Sequence, residues 1–530
     1  MPKRPNDTQH RTGPSSDGDA PARPIRSRGA AKRARRTLTP DDVTVVEESL
    51  LKRAVAAAAL GNAMEWFDFG VFAYLATTLG RVFFPSDDPT ASTLSALATF
   101  TAAFVVRPIG GAFFGPLGDR IGRQKVLALT MILMAAGTFA IGLLPGYTQV
   151  GVWAAVLLLL ARLLQGFSTG GEYGGAATFI AEYSPDKRRG FMGSWLEFGT
   201  LAGYVLGASL VTALQFGLSE DAMLGWGWRI PFLVAGPLGI VGLYLRLKLE
   251  ETPAFQKQQE QAAEREQQKT PVLRLFGEHW RALLVCIGLV LVFNVTDYML
   301  LSYMPTYLSE TLGGDATVGL LLIVIVMVVM MLVITFGGKI SDRFGRRPVL
   351  FAGCIGFFVL SWPALKLIQS GSDLGVFAGL LVLGLVLVTF TSTMPSTLPA
   401  LFPTIIRYGA LAVAFNVSVS LFGGTTPLFT EALVKAADDA GYAWARDIPA
   451  FYLMLAALIG LVAVFFTKET AKEPLLGSGP TVGSEEDARD LIEQYEDPSS
   501  EFARSDWAKD FATSQMDVIP PQSTEPSTTK

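Results

Sequence analysis

Histidine and cysteine are nearly missing from this chain, with two of each among 530 residues. Cys286 and Cys354 sit in apolar runs and His10 and His279 outside them, so no metal-ligand spacing exists and the cysteines read as small core residues. No phosphate-binding loop or nucleotide fingerprint occurs, which leaves no sign of ATP-driven work; no cofactor and no nucleic-acid partner are expected. Charge is scarce as well: 17% of residues are Asp, Glu, Lys or Arg against 50% hydrophobic. That imbalance excludes an ordinary soluble protein of this length and indicates a membrane protein. One enzyme-like run, Gly166-Phe-Ser168-Thr-Gly170, fits the G-x-S-x-G of a hydrolase elbow. It falls inside a helical run with no histidine in any span, so it reads as coincidence, and the chain as no enzyme.

What is abundant is apolar sequence of spanning length. Leu320 to Gly338 is uncharged and rich in Val, Ile, Leu and Met, and about 20 such residues cross a hydrocarbon core. Similar runs, broken by charged or Gly/Pro turns, predict spans near 52–78, 94–117, 126–145, 152–180, 190–214 and 229–249, then 280–311, 317–340, 348–368, 374–401, 408–436 and 448–467. Backbone groups must be satisfied inside lipid, so the expected fold is all-α, a polytopic chain of twelve transmembrane helices. Residues 1–48 are rich in Pro, Ser and Arg, and 471–530 are acidic with Gly, Ser and Pro; both are expected to be disordered. The bases from Arg23 to Arg36 suit a positive-inside anchor or an arm on anionic lipid, and no removable signal peptide is expected. Bases also fall in alternate loops, at Arg120, Arg123 and Lys125, at Lys187 to Arg189, at Arg343, Arg346 and Arg347, and at Arg407. These loops, and with them both termini, are expected on the cytoplasmic face.

The chain repeats itself. GPLGDRIGRQKV (Gly115 to Val126) echoes GGKISDRFGRRPV (Gly337 to Val349), SPDKRR ending at Arg189 echoes FPTIIR ending at Arg407, and Glu251-Thr252 echoes Glu469-Thr470, in one order and at nearly one spacing. Two six-helix halves, 49–249 and 280–470, are therefore joined by a polar segment, 250–279. Similar halves can rock about a site at their interface. In each charged knot glycines permit a tight turn, while Asp119, Arg120 and Arg123, or Asp342, Arg343 and Arg346, can pair or cap helix ends only when that face is shut, as a latch. A positive-inside loop without gating accounts for one copy, and less well for the Asp shared by both.

The knot GPLGDRIGRQK resembles the signature loop of the major facilitator superfamily, and ARLLQGFSTGGE its fourth-helix motif. GNAMEWFDFGVFAY, FVVRPIGGAFFG, QGFSTGGEYGGA, AEYSPDKRRGFMGSW, WGWRIPF and LEETPAF resemble the metabolite:proton symporter branch. Within it, NVTDYMLLSYMPTYLS and STLPALFPTIIRYGALAVAFN resemble the proton-coupled proline/glycine betaine carriers. The resemblance spans residues 50–475 and implies import of a zwitterionic compatible solute with protons across the cell membrane, the proton gradient supplying the energy. Organic-acid carriers, such as those for dicarboxylates, share the general motifs and are the alternative. Relatives of this kind can carry a C-terminal coiled coil linked to osmotic sensing, whereas here EEDARDLIEQYED gives way to SSEFARSDWAKDF without sustained apolar heptads. Osmotic regulation and a homo-oligomer both stay open. Glu182 and Arg189 resemble a superfamily pair whose counterpart before Arg407 is Ala400, so the pair is expected in the first half alone.

An ionisable side chain at a helix centre costs about 2.5–3.5 kcal/mol on insertion scales, so each needs a partner or a polar cavity. Glu65 and Asp68 lie one turn apart on the first span, Arg107 is on the second, Arg162 and Glu172 are on the fourth, Glu197 is on the fifth and Asp297 on the seventh. Asp68, with Glu65 and Arg162, is the candidate proton-coupling set, because a carboxylate paired in one state and unpaired in a drier one takes and releases a proton. A permanent structural bridge from Asp68 to Arg107 or Arg162 is the plainer alternative. Arg107 is a candidate carboxylate-binding fork, or only a brace between helices. Trp66, Tyr173, Trp195, Tyr298 and Tyr303 are aromatics near these positions, suited to a quaternary ammonium or simply to packing. Asn294 and Asp297 share a helical face and, with Glu172, complete the candidate binding set. Gly199, Gly203 and Gly207 read as a close-packing seam.

Overall fold

The structure, a computed structural model, describes residues 36–121, 123–170, 172–248, 277, 279–404 and 406–513, with the side chains at 115, 116, 118–128 and 242–248 left outside that range. Twelve long helices account for most of it. In the first half they are α1 (Glu48–Tyr74), α2 (Pro89–Ile121), α3 (Arg123–Leu143), α4 (Trp153–Tyr183, with a turn at Thr169 and Gly170), α5 (Arg189–Gly217) and α6 (Arg229–Lys248). In the second half they are α7 (Trp280–Thr311), α8 (Ala316–Phe344), α9 (Arg346–Ile368), α10 (Asp373–Ala400), α11 (Arg407–Asp439) and α12 (Ile448–Phe466). Among the described residues nine are long and apolar enough to cross a membrane, and α6 with the bent turn before it makes ten. Of the other two, α1 falls short by composition, since it carries Lys52, Arg53, Glu65 and Asp68, and α3 has its side chains described only over the apolar stretch Leu129–Leu143, which is shorter than a span. Both are packed against neighbouring helices, α1 against α5 and α3 against α6.

Glycine sets how closely these helices approach. A Cβ on Gly199 or Gly203 of α5 would lie 2.2 or 2.1 Å from the carbonyl oxygens of Ala59 and Ala63 on α1. The expected seam is therefore real, with backbone against backbone. α2 and α4 meet in the same way, where a Cβ on Gly166 would lie 1.8 Å from the Ala103 carbonyl oxygen. Between α8 and α9 the chain turns at Gly345 with φ of 102°, a region that favours glycine. This is the tight turn expected of the second charged knot; Asp119, Arg120 and Arg123 of the first knot have side chains outside the described residues.

The halves meet along α5 with α8, α2 with α11, α1 with α7, and α4 with α10 and α11. Helices α7 and α11 are not regular throughout. Wide π turns replace α turns at Met299–Tyr303 and Tyr307–Thr311 in α7 and at Val419–Gly423 in α11, and such turns commonly sit at functional positions.

The two ends of the chain depart from expectation. Residues 36–46 and 475–513, placed above in segments expected to be disordered, fold together on one face of the bundle. Strand β1 (Thr44–Val45) pairs in parallel with β2 (Thr481–Val482), and α13 (Glu485–Glu496) and α14 (Asp506–Thr513) cover them. Leu38, Val43, Val482, Ala488, Leu491, Tyr495, Trp507, Ala508 and Phe511 form a small core of their own. Neither end contains enough apolar residues to build that core alone, which is why composition taken end by end pointed to disorder. The pairing also places both ends on one face, called the terminal face below. Residues 1–35 and 514–530, and nearly all of the linker 250–279, lie outside the described residues.

Candidate functional site

Charged and aromatic side chains from α1, α2, α4, α5 and α7 converge where the halves meet. Arg107 on α2 forms an ion pair with Glu65 of α1, donates from Nε to Thr169 Oγ1 at 2.8 Å, and lies 5.0 and 5.1 Å from the ring centres of Phe69 and Phe104. Its partners are supplied by the protein, so the brace reading of Arg107 describes this structure and the open carboxylate fork does not.

Asp68, one turn from Glu65, behaves differently. It is buried, and among the described residues it makes no ion pair. Its Oδ2 accepts from Thr138 Oγ1 at 2.7 Å; Thr138 is bonded to Gln165 Nε2, and Gln165 Oε1 accepts from Arg162 Nη1 at 2.8 Å. The permanent bridge from Asp68 to Arg107 or Arg162 is absent, replaced by a relay through two neutral side chains. Thr138 Oγ1 also lies 3.0 Å from the Met134 carbonyl oxygen. A hydroxyl has one proton to give. It donates to Asp68 when the carboxylate is ionised and can turn to Met134 when Asp68 itself carries a proton, so the network accommodates both states without moving a helix.

Arg162 is fully buried, its guanidinium 4.2 Å from the Phe72 ring centre and 5.1 and 5.4 Å from those of Phe69 and Phe100. Beside it, Tyr298 packs its ring 5.3 Å from Phe104 and 5.7 Å from Trp66, and Trp66 lies 5.3 Å from Tyr204. Trp66 donates to Asn62 Oδ1 at 3.2 Å, which fixes the indole. The result is an aromatic cluster at the seam of α1, α5 and α7. Two polar atoms there have no hydrogen-bond partner among the described residues, Asp297 Oδ1 and the Tyr298 hydroxyl. Asn294, on the same face as Asp297, donates to the Val290 carbonyl at 2.9 Å within its own helix.

The remaining candidates divide. Tyr173 stacks on Phe415 of α11, with ring centres 4.0 Å apart and planes 12° from parallel, and donates to Glu197 at 2.6 Å. Glu172 accepts from Thr130 at 3.2 Å. Trp195 is not brought to the cluster; it packs against Phe198 and Phe191 along α5. Tyr303 is also elsewhere, donating to Glu431 of α11 at 2.8 Å. Ser168 is buried inside α4 and donates to the Gln165 carbonyl at 2.7 Å, which is no nucleophile's position. Sequence reading missed Thr138, Gln165, Thr169 and Tyr204. Gln165 is one turn from Arg162, a spacing that signals a shared face, but the hydroxyls carried no comparable mark.

On the terminal face the second charged knot closes across the halves. Asp342 of α8 accepts from the backbone amides of Gly190 and Phe191 at 2.7 and 2.8 Å, capping the N-terminus of α5 in the other half. Arg346 donates to the Ser396 carbonyl at 3.0 Å and to Thr470 at 2.8 Å, and Glu469 accepts from the amides of Arg346 and Arg347 at 2.9 and 3.0 Å. Arg343 is exposed, lies over Phe344, and takes no part. The expected pair of Glu182 with Arg189 is not formed. Glu182 instead pairs with Arg407 of the second half at 2.6 Å, while Arg189 pairs with Asp186 three residues before it. Ala400 leaves Arg407 without an acid of its own half, and that vacancy is filled across the interface.

Two six-helix halves that meet at a buried charged and aromatic centre, with hydrogen bonds and an ion pair joining them on one face, define a multi-pass membrane carrier. The family profile Major Facilitator Superfamily matches residues 55–427 and 298–495, and the chain belongs to that family. It is 50% identical over 466 residues, 87% of this chain and 92% of the relative, to the proline/betaine transporter of Salmonella typhimurium. It is 49% identical over 463 residues, 86% and 91%, to the glycine betaine/proline/ectoine/pipecolic acid transporter OusA of Dickeya dadantii. Among solved structures, the proton:xylose symporter XylE bound to 6-bromo-6-deoxy-D-glucose superposes with a TM-score of 0.64 at 19% identity, covering 81% of this chain and 98% of that one. That likeness establishes the fold.

Proposed function

We propose that this protein imports zwitterionic compatible solutes, proline, glycine betaine and ectoine among them, by proton symport, with its terminal face in the cytoplasm. The carrying observation is the centre itself. A buried carboxylate, Asp68, makes no ion pair among the described residues and stands beside an arginine-rich and aromatic interface between two halves that can separate. Aromatic faces at Trp66, Tyr204 and Tyr298 attract a quaternary or secondary ammonium, and the open oxygen of Asp297 supplies a counter-charge. The names of the relatives that match nearly the whole chain agree in the solute class. The bases of the terminal face, at Lys187, Arg188, Arg343 and Arg347, favour the cytoplasmic side.

In this reading a proton enters at Asp68 and neutralises it, Thr138 reorients, and the halves close around the loaded centre. Opening then breaks the Asp342 caps and the pair of Glu182 with Arg407 on the cytoplasmic side. The test is uptake of labelled proline and glycine betaine into proteoliposomes with and without an inward proton gradient. Gradient-driven accumulation of either is expected, and Asp68→Asn should abolish it while leaving the protein in the membrane. Full accumulation by Asp68→Asn would remove Asp68 from the coupling step. Failure of the wild type on both solutes, with uptake of a dicarboxylate, would replace the solute class.

A further inference from the structure

Arg162 keeps one edge of its guanidinium unpaired among the described residues. Its Nη1 is bound to Gln165, while Nε and Nη2 have no hydrogen-bond partner among the described residues, although the side chain is fully buried. Leaving donors of a buried cation unmade is expensive, and three aromatic rings around the guanidinium offer a flat surface but no acceptor. Nε and Nη2 together form the side-on edge of the guanidinium, the geometry that takes both oxygens of one carboxylate. Arg107 cannot compete for that role in this state, because Glu65 and Thr169 already hold it.

We propose that the Nε–Nη2 edge of Arg162 is the subsite for the substrate's carboxylate. The assignment rests on the reading of this centre as a carrier site, and it deepens that reading by giving the bound solute a direction. The carboxylate lies toward α4 of the first half, and the cationic end faces the aromatic cluster of Trp66, Tyr204 and Tyr298. Phe100 joins the two ends, since its ring centre is 5.4 Å from the Arg162 guanidinium and 6.4 Å from the Tyr298 ring centre. The subsite is also wired to the proton. Gln165 and Thr138 connect the bound guanidinium to Asp68, so a carboxylate arriving at Arg162 is felt by the residue that carries the proton.

The experiment measures binding of labelled glycine betaine to the purified full-length protein and its competition by proline and by choline, which lacks the carboxylate. Arg162→Lys keeps the charge and removes the edge, so betaine and proline should bind about tenfold more weakly or worse, with competition by choline little changed. Arg107→Lys should not show this carboxylate-selective loss. Unaltered betaine affinity in Arg162→Lys, or a selective loss in Arg107→Lys instead, overturns the assignment. Should the arginine variants not fold, hydrogen exchange on the wild type decides. Betaine, and not choline, should protect the backbone around 158–168, whereas protection confined to 104–110 would overturn the proposal. If the wild type binds neither betaine nor proline, the compatible-solute reading falls, and succinate serves as the carboxylate probe in the same variants. Arg162-dependent succinate binding would then keep the subsite, and Arg162-independent binding would remove it.

Discussion

Asp342 joins the two halves through one oxygen to each of two amides, Gly190 and Phe191, at the start of α5. Hydrogen bonds to a charged group contribute about 1.5–3 kcal/mol each. Asparagine removes the charge and turns one oxygen into a donor that faces an amide N–H. Asp342→Asn is therefore expected to move the balance on the terminal face toward open by about tenfold, near 1.4 kcal/mol. The measurement is thiol labelling of Ser194→Cys, a position that faces Gly338 across the same seam, in membranes where the native cysteines are buried. An unchanged labelling rate would show that this carboxylate does not hold the face shut. At this scale the sequence was only partly legible. Repetition of the Asp in both knots drew notice to Asp342, which the structure places across the halves on the amides of Gly190 and Phe191. Motif spacing paired Glu182 with the wrong arginine, because the true partner, Arg407, belongs to the other half and a linear motif carries no information about docking. The different pairing of Arg107 and Arg162 was hidden for the same reason, since it depends on Glu65 and Thr169 reaching Arg107 from other elements.

Helix pairs are the next unit, and their closeness is set by glycine rows. A Cβ at Gly203 would come within 2.1 Å of the Ala63 carbonyl oxygen and 2.9 Å of the Phe67 nitrogen, and neither backbone atom can step aside without moving α1. Gly203→Val is expected to cost at least about 1–3 kcal/mol, the usual range for overpacking, and to lower the thermal midpoint of the solubilised protein. Gly217→Ala, at the open end of the same helix with nothing within 4 Å, should leave the midpoint nearly unchanged. Equal effects of the two would refute the seam. Because α1 carries Trp66 and Asp68, loosening it also spoils the centre, so transport should fail before the protein unfolds. Helix positions were the most legible feature of the sequence, since a bilayer demands long apolar runs and the loops interrupt them with charge. The wide turns in α7 and α11 were not legible, because a shift in hydrogen-bond register leaves hydrophobic periodicity almost unaltered. α1 was legible through its motifs and charges more than through its hydropathy, which falls short of a spanning helix.

Across the whole molecule, the folded ends form a strap over both halves. The Glu473 carbonyl accepts from Arg189 of the first half at 3.0 Å, the Leu476 carbonyl accepts from Arg407 of the second half at 2.8 Å, and the Thr481 amide donates to Asp186 at 3.0 Å. Arg407 also pairs across the halves with Glu182, while Arg189 pairs with Asp186 of its own half, so the strap holds one residue of each half and docks directly on the pair that joins them. Docking also has a pH dependence. Burial, and then the nearby negative charge of Asp506, hold the Glu473 carboxyl above the usual carboxylate range, with Glu469 adding to the rise and Lys468 opposing it. A carboxyl that binds its proton more tightly when docked contributes stability that is fully present below its undocked pKa and is lost as pH rises through the docked value. The strap should therefore hold best at and below the ordinary carboxylate range and loosen as pH rises above it. Hydrogen exchange of the full-length protein, corrected for the intrinsic pH dependence of exchange, should show protection of 475–495 falling across that window. Glu473→Gln, which is neutral throughout, should flatten the profile while keeping the carbonyl bond to Arg189. A wild-type profile that rises with pH, or one identical in Glu473→Gln, would show that this carboxyl does not govern the strap. If the profile behaves as expected, acidification on the terminal face would tighten the strap where it holds Arg407, and so favour the pair of Arg407 with Glu182 across the halves.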